Sequence, residues 1–208
     1  MERNEELYQA VCRGDRKAAV AATQAALATG SDVEQLLTGS LIPAMKKVGD
    51  EFACGDAFVP EMLIAARAMH ACLDLIQPSL QKAGHAPLGK VCIGTVKGDL
   101  HDIGKNLVAM MLRGTGYQVD DLGVDCAPEQ FRAAVEQGAR VVCCSALLTT
   151  TMPAMKGVVE AVKALDPEAK VVVGGAPVTQ EYANQIGADG YGSSASDATR
   201  VVERLLAG

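Results

Sequence analysis

The hydrophobic period of the chain changes near residue 88, and this change limits the possible folds more than any other feature. Beyond it, five β-rich runs alternate with patterns of helical period. The β-rich runs lie at 90–96, 117–122, 140–146, 170–174 and 189–192. The helical patterns lie at about 102–115, 128–137, 152–165, 179–186 and 195–206. Strands that alternate with helices predict right-handed βαβ units and a parallel sheet with helices on both faces.

Two of the β-rich runs are apolar without interruption, at 141–144 and 171–173. Such runs are typical of strands that are buried on both faces of a sheet. We therefore predict an α/β domain with a flavodoxin-like, doubly wound, five-stranded parallel sheet. In sheets of this type, a ligand binds at the carboxyl ends of the strands, around the point where the strand order reverses.

The first part of the chain has helical periodicity only. An Ala-rich helix is expected at 18–28, a second helix starts after Ser31 or Asp32, and a third starts at Pro60. Pro43 is expected to break or kink the second of these helices. Residues 81–89 contain Gly, Pro and polar side chains and indicate a linker, with a hinge at 78–89. We predict a helical domain over residues 1–88 and an α/β domain over 89–208.

Charge and cysteine content exclude several classes of function. The net charge is −6 and no run of Lys or Arg is present, which argues against a nucleic-acid partner. No stretch approaches the ~20 apolar residues of a membrane span, and the charged N-terminus is unlike a signal peptide, so we expect a cytoplasmic protein with no membrane partner. The seven cysteines are scattered without metal-site spacing and are expected to be reduced.

Unusual polar residues follow three of the predicted strands. They occupy 98–106 after the first strand, 145–151 after the third and 174–178 after the fourth. A single loop histidine such as His101 is usually solvated or structural. Here, however, Asp99 can accept a hydrogen bond from one imidazole nitrogen and leave the other free for a metal. Because a protein-only metal site needs three or four ligands, the remaining ligands would come from a cofactor macrocycle.

Each of these residues also has a structural interpretation. Asp99 and Asp102 can cap the following helix, and the hydroxyls of Ser145, Thr149 and Thr151 can satisfy backbone groups at the strand end. Residues 174–175 can form a tight turn. It is their joint placement at one edge of the sheet that favours a binding site.

The three segments together resemble the cobalamin-binding domain in its base-off, His-on form. The signature Asp-x-His-x-x-Gly corresponds to 99–104, Ser-x-Leu to 145–147, and Gly-Gly to 174–175. The helical half is similar to the cap module of methionine synthase and of small corrinoid proteins, through Val-Gly-Asp-Glu-Phe at 48–52 and Phe-Val-Pro-Glu at 58–61. The resemblance covers nearly the whole chain.

This resemblance implies a role for each matching residue. His101 would be the lower axial ligand of cobalt, Asp99 would hydrogen-bond His101, and Ser145 would join that network or contact the nucleotide tail of the cofactor. Phe58 would shield the upper face of the cofactor. The expected cofactor-contacting residues are Gly98, Asp99, Leu100, His101, Asp102, Gly104, Ser145, Leu147, Thr149, Gly174, Gly175, Ala195 and Phe58.

The resemblance also implies a function as a corrinoid methyl carrier, with cobalamin or a related corrinoid such as methylcobalamin as the cofactor. Its partners would be a substrate-specific methyltransferase, a second methyltransferase to coenzyme M or tetrahydrofolate, and a reductive activase. A cobalamin-based light or ligand sensor is an alternative, although the acidic N-terminus does not look like a DNA-binding segment. A flavodoxin or response regulator would need a phosphate-binding loop or an acidic cluster after the first strand.

Overall fold

Helices alone make up the first part of the protein, and an α/β sheet makes up the second. The structure is a computed structural model that describes residues 3–82 and 87–207. The chain divides into two compact units. One unit comprises Met1–Pro87 with Gly114–Gly116, and the other comprises Leu88–Arg113 with Tyr117–Gly208.

The helices of the first unit follow one another with short connections. They are α1 (Glu5–Cys12), α2 (Arg16–Ala28), α3 (Val33–Leu36), a π-helical segment (Leu37–Leu41), α4 (Ile42–Cys54) and α5 (Val59–Lys82). Asn4, Asp15 and Asp32 cap α1, α2 and α3, because a side-chain oxygen of each accepts a hydrogen bond from a first-turn N–H. The cap of the second predicted helix is therefore Asp32 and not Ser31.

Pro43 interrupts the α-helical hydrogen bonding, as the sequence predicts. A separate α-helix starts at Ile42, and the five residues before it are π-helical. Proline has no N–H to donate to a carbonyl four residues earlier, so the preceding turn adopts a wider hydrogen-bond pattern. By contrast, α5 continues through Pro78 to Lys82, so the first five residues of the expected hinge are helical. The expected linker at 81–89 lies partly outside the described residues.

The second unit is the predicted doubly wound domain. Its elements are β1 (Lys90–Thr95), α6 (Ile103–Gly114), β2 (Gln118–Asp121), α7 (Pro128–Glu136), β3 (Val141–Ser145), α8 (Pro153–Leu165), β4 (Lys170–Gly174), α9 (Gln180–Ile186), β5 (Gly190–Gly192) and α10 (Ala195–Ala207). All strand pairs are parallel, and the strand order is β2-β1-β3-β4-β5. This order confirms the flavodoxin-like prediction and places the switch point between β1 and β3.

Both faces of this sheet are buried, because successive side chains of each strand point to opposite faces. One core combines sheet residues with α7, α8 and α9, and includes Cys92, Val142, Phe131, Met155 and Ile186. The other core combines sheet residues with α6 and α10, and includes Val91, Ile93, Leu112, Val201 and Val202. Each fully buried valine or leucine side chain contributes about 1.5–3 kcal/mol, so the sheet is a rigid platform for the loops at its edge.

Two further expectations concern cysteines and membranes. All seven cysteines are free thiols, and five of them, including Cys143 and Cys144 in β3, are buried. Burial raises the pKa of the Cys92 thiol to about 12, which keeps it protonated. Within the two described ranges, no helix is both long and apolar enough to cross a membrane.

Candidate functional site

The register of the three central strands places the polar segments side by side. Thr95 at the end of β1 pairs with Ser145 at the end of β3, and Ser145 pairs with Gly174 at the end of β4. The loops that follow these strands therefore leave the sheet at the same edge. This edge is where a doubly wound fold binds its ligand.

The carboxylate of Asp99 connects two of these loops. Asp99 is fully buried, and its Oδ2 accepts hydrogen bonds from the N–H of Leu147 (2.8 Å), the N–H of Leu148 (3.3 Å) and Oγ1 of Thr151 (2.7 Å). Its Oδ1 accepts a hydrogen bond from the N–H of His101 (3.0 Å) and lies 2.8 Å from Nδ1 of the His101 ring. One buried carboxylate thus binds both the β3–α8 loop and the histidine.

These hydrogen bonds keep the Asp99 carboxyl ionised and select one tautomer of the neutral His101 ring. Burial by itself would raise the pKa of the Asp99 carboxyl, but the hydrogen bonds from Leu147, Thr151 and His101 outweigh it and hold the pKa well below its ordinary value. An ionised carboxylate can only accept hydrogen bonds, so Nδ1 of neutral His101 carries the proton. The lone pair of the imidazole is then on Nε2, the nitrogen that can bind a metal.

The backbone around His101 is held from two sides. The buried hydroxyl of Thr95 donates to the carbonyl oxygen of His101 at 2.8 Å. The N–H of Gly98, a residue with φ of 85°, donates to Oδ1 of Asp125 at 2.7 Å, and the N–H of Asp125 donates to the carbonyl oxygen of Asp99. The positive φ at position 98 favours glycine, and the turn places the Asp99 carboxylate next to the His101 ring.

An ion pair between a buried lysine and a partly exposed aspartate lies next to this loop. Nζ of Lys105, in the first turn of α6, lies 2.6 Å from both carboxylate oxygens of Asp121 and 2.7 Å from Oδ1 of Asn106. Oδ1 of Asp121 also accepts the N–H of Gly123. The pair joins the start of α6 to the end of β2, on either side of the His101 loop.

A cavity of about 580 Å³ opens at the same edge of the sheet. It is lined by nine of the residues expected to contact a cofactor: Leu100, His101, Asp102, Gly104, Ser145, Leu147, Gly174, Gly175 and Ala195. The imidazole of His101 is half exposed at this cavity, with a side-chain exposure of 51%. Around the histidine, the apolar side chains of Leu100 and Ile103 are 71% and 77% exposed.

Four of the expected residues occupy other places. Asp99 is buried beneath the histidine, Gly98 and Thr149 are exposed in loops, and Phe58 lies before α5 in the first unit, 68% exposed. Asp102 does not cap α6 through its side chain in the described structure; its Oδ2 accepts a hydrogen bond from the Asn106 amide.

The presence of glycine at the two positions that end and follow β4 has a structural reason that does not involve a ligand. A Cβ on Gly175, where φ is 124°, would lie 1.9 Å from the carbonyl oxygen of Ala146, and a Cβ on Gly174 would lie 3.0 Å from the carbonyl oxygen of Gly192. The backbone around Gly175 thus requires glycine even without a ligand, and Gly174 packs tightly against the neighbouring strand. At Gly104, by contrast, a Cβ would have no neighbour within 4 Å, so glycine there leaves open space at the cavity wall.

The sequence interpretation left several site residues unassigned. Ile103 and Lys105 line the cavity near His101, and Tyr191, Ser193 and Ser194 line it beyond β5. The sequence did contain a signal for Tyr191, Ser193 and Ser194. They lie in or directly after the short predicted strand at 189–192, and the carboxyl end of this strand lies at the same edge of the sheet as the carboxyl ends of the other strands. Thr151 was not among the expected site residues, whereas its hydroxyl contacts Asp99.

Comparison with known protein families agrees with this geometry. A family model described as a B12 binding domain matches residues 89–200, and a second model with the same description matches residues 3–77. The first match contains the cavity, His101 and Asp99. The chain belongs to the B12-binding corrinoid proteins.

Individual relatives extend over nearly the whole chain. A corrinoid protein of Desulfitobacterium hafniense is 38% identical over 208 residues, covering 97% of this chain and 96% of its own. A trimethylamine corrinoid protein of Methanosarcina mazei is 42% identical over 197 residues, covering 92% of this chain and 90% of its own.

Solved structures show the same similarity. The methanol:cobalamin methyltransferase complex MtaBC from Methanosarcina barkeri contains a chain that matches with a TM-score of 0.89 and 31% identity, over 100% of this chain and 81% of that one. A cobalamin-binding protein from Desulfitobacterium hafniense matches with a TM-score of 0.79 and 29% identity, over 96% of each chain. These matches confirm the expectation of a corrinoid cofactor.

The site of this corrinoid protein fits the group it binds. A histidine nitrogen with a free lone pair is available for cobalt, and it has no hydrogen-bond partner among the described residues. Exposed apolar side chains around it, such as Leu100 and Ile103, suit the apolar face of a macrocycle. The cavity beside the histidine and the open space at Gly104 offer room for the rest of the cofactor.

Proposed function

We propose that this corrinoid protein is a methyl carrier, which receives a methyl group in a complex with one methyltransferase and delivers it in a complex with another. The observation that carries the proposal is the His101 imidazole, which a buried carboxylate presents at the open edge of the sheet. When bound, the corrinoid supplies a cobalt ion that accepts and gives up the methyl group. The chain would contribute a histidine ligand, a binding surface and a shield.

In this proposal, Nε2 of His101 would hold the cobalt of the bound corrinoid. Asp99 keeps the proton on Nδ1 and limits rotation of the ring, because its Oδ1 binds both the ring and the backbone N–H of the same residue. The walls of the cavity at the ends of β3, β4 and β5 would hold the tail of the cofactor. The residues that we assign to cofactor contact are Gly98, Leu100, Asp102, Gly104, Ser145, Leu147, Thr149, Gly174, Gly175 and Ala195.

The names of the relatives support methyltransferase partners. The similar chains include trimethylamine corrinoid proteins and a chain of a methanol:cobalamin methyltransferase complex. We infer that the first partner is a substrate-specific methyltransferase and that the second transfers the methyl group to coenzyme M or tetrahydrofolate. A reductive activase would return oxidised cobalt to its reactive state.

Electron paramagnetic resonance of the Co(II) form tests the ligation. The protein is reconstituted with cobalamin and reduced, once with natural histidine and once with [15N]histidine. We expect splitting from one histidine nitrogen, which changes from a three-line to a two-line pattern on labelling. Splitting that does not respond to labelled histidine, and therefore arises from the cofactor's own benzimidazole, would contradict the proposal.

Paired variants separate the ligand from a bystander histidine. His101→Ala should still bind cobalamin through the remaining contacts, but it should lose the labelled splitting and slow methyl transfer from a free methyl donor. His70→Ala, in α5 of the first unit, should keep both properties. Equal effects of the two substitutions would remove the reason for assigning His101. Light-induced spectral change without methyl transfer would instead favour a sensor.

A further inference from the structure

The cavity at the carboxyl edge of the sheet has an inner end to which the proposed function assigns no residue. Three of its lining residues, Ile93, Cys143 and Val172, lie on β1, β3 and β4, and Cys143 pairs with both of the others in the register of the sheet. Each lies two residues before the end of its strand, about 7 Å inside the edge, and points to the face covered by α6 and α10. We call these three residues the floor row.

The helices on this face form the sides of the inner end. Val108 of α6 and Ala198 of α10 line the cavity on its two sides. Over β5 there is little room, because α10 packs directly on that strand. A Cβ at Gly190 would lie 2.5 Å from Val201, and a Cβ at Gly192 would lie 2.6 Å from Ala198. The inner end is therefore a slot over β3 and β4, and the floor row closes it.

The cavity changes in chemical character from its mouth to the floor row. His101 and Lys105 line it from the β1–α6 loop and the first turn of α6, and Ser193 and Ser194 line it from the loop before α10. The floor row, by contrast, consists of two aliphatic side chains and a thiol. Burial raises the pKa of the Cys143 thiol well above its ordinary value, so the thiol stays neutral. A neutral thiol is only a weak hydrogen-bond partner.

This gradient decides which part of a cofactor tail reaches the floor row. The tail of a corrinoid consists of a phosphate, a ribose and an aromatic base. A charged phosphate is costly to bury and stays at the polar mouth, so the base is the part that enters the slot. The outer edge of a dimethylbenzimidazole is apolar, whereas an adenine carries an amino group with two donors. Burying these donors without an acceptor weakens binding.

We propose that the floor row, with Cys143 at its centre, selects the lower base of the corrinoid, accepting an apolar benzimidazole and excluding a purine. The inference rests on the proposed function for the binding of a corrinoid whose base is detached from cobalt. It adds the class of corrinoid that the site takes and the residue that determines this choice.

Spectrophotometric titration of the cofactor-free full chain with three corrinoids tests the selection. They carry the same upper ligand and are cobalamin, its analogue with an adenine base, and cobinamide, which has no nucleotide. Because only the form with a detached base fits the site, each affinity is corrected for the fraction of that form in the free corrinoid, measured by acid titration.

We expect the corrected affinity for cobalamin to exceed that for the adenine analogue at least about tenfold, as the unpaired amino group predicts. Cobinamide should also bind more weakly than cobalamin, because it leaves the slot unfilled. Equal corrected affinities for cobalamin and the adenine analogue would overturn the proposal. Equal affinities for cobalamin and cobinamide would overturn it as well, since the base would then make no contact in the slot.

The substitution Cys143→Ser tests the central residue, because serine is close to cysteine in size and supplies an acceptor for the amino group. The cobalamin-to-adenine affinity ratio should fall several-fold. Cys144→Ser is the matched control, since Cys144 is the next residue of β3, is equally buried and belongs to the core on the opposite face. An unchanged ratio in Cys143→Ser, or an equal fall in Cys144→Ser, would overturn the assignment of Cys143.

Thermal unfolding checks that both serine variants are folded, and the wild-type ratio decides the selection even if one of them is not. Failure of the selection and failure of the proposed function give different results. Histidine splitting and methyl transfer with a corrected affinity ratio near one would overturn the selection alone. No binding of any of the three corrinoids would contradict both proposals.

Discussion

Asp99 is a carboxylate with no exposed surface whose oxygens accept hydrogen bonds from Leu147, Leu148, Thr151 and His101. A group of this kind contributes to stability as well as to function. In a neutral amide or carboxylic acid, one of the two acceptor oxygens is replaced by a donor group, so some of the surrounding donors lose their acceptor in a place that water does not reach. Leaving a buried donor unsatisfied costs about 1–3 kcal/mol.

We therefore expect Asp99→Asn to lower the free energy of unfolding of the cofactor-free protein by about 1–3 kcal/mol at pH 7. The folded-state pKa of Asp99 lies below its unfolded value. The stabilisation is thus present above the ordinary carboxyl pKa of about 4 and is lost as the pH falls toward the folded-state pKa. Urea unfolding at pH 7 and at about pH 3 measures both effects.

The difference between wild type and Asp99→Asn should shrink as the pH falls. Asp74→Asn, at an exposed position of α5, is the control and should change stability by less than about 0.5 kcal/mol. A difference for Asp99→Asn that stays constant over this pH range would mean that the charge of Asp99 contributes nothing to the folded state.

At the residue scale, the sequence was sufficient to find the histidine but not its whole environment. Asp99 and His101 are two positions apart, so their contact follows from local geometry, and the structure places the two atoms 2.8 Å apart. Residues 149–151 are three consecutive threonines, and nothing in their spacing indicates which hydroxyl turns inward. That depends on the path of the loop between β3 and α8, which tertiary packing determines.

At the scale of elements, the first turn of α6 forms part of the cavity wall. Gly104 is the second residue of this helix, and a Cβ there would meet no atom within 4 Å. A larger side chain should therefore fit the folded protein and occupy space that the cofactor needs. Glycine is also about 0.8–1 kcal/mol less favourable in a helix than alanine, so its replacement should not destabilise α6.

We expect Gly104→Leu to keep or raise the thermal stability of the cofactor-free protein and to weaken cobalamin binding at least about tenfold, equivalent to about 1.4 kcal/mol. Thermal unfolding and a spectrophotometric titration with cobalamin measure the two effects. Gln77→Leu, which adds a leucine at an exposed position of α5, should leave the affinity unchanged. Unaltered affinity in Gly104→Leu would mean that the cofactor does not approach α6.

The strands and helices of the α/β unit were predictable because their signals are local. Buried runs such as 141–144 in β3 and 171–173 in β4 are apolar throughout, and Pro or Gly residues border most helices. The helical half carries weaker signals: α1 is only eight residues long, and the π-helical segment at Leu37–Leu41 has no distinct hydrophobic period. The π-helical segment is defined by the backbone hydrogen bonds just before Pro43, which the sequence does not reveal.

At the scale of the whole molecule, the two units have different bases of stability. The first buries Leu7, Leu41, Met45, Met62 and Met69 among helices, and the second buries both faces of a parallel sheet. The change of period near residue 88 is the basis of the predicted division into two domains, since helices and buried strands have different hydrophobic patterns. A unit with its own core can in principle fold alone.

The proposed shielding role of the first unit leads to a prediction for a protein that begins at Leu88. We expect this fragment to fold, because both cores of the sheet are retained, and to bind cobalamin with the same histidine splitting in the Co(II) form. Its reduced Co(I) form should be oxidised several-fold faster than that of the full chain when a fixed trace of oxygen is added. The reason is that a closed site excludes water and side reactions.

Phe58→Ala in the full chain distinguishes shielding by this residue from shielding by the whole unit. Phe58 is 68% exposed, so the substitution should change stability by no more than about 0.5 kcal/mol. Oxidation of Co(I) at a rate between those of the full chain and the fragment would assign part of the shield to the Phe58 ring. Indistinguishable rates for all three proteins would mean that the helical unit is a docking platform and that Co(I) is protected within the methyltransferase complex.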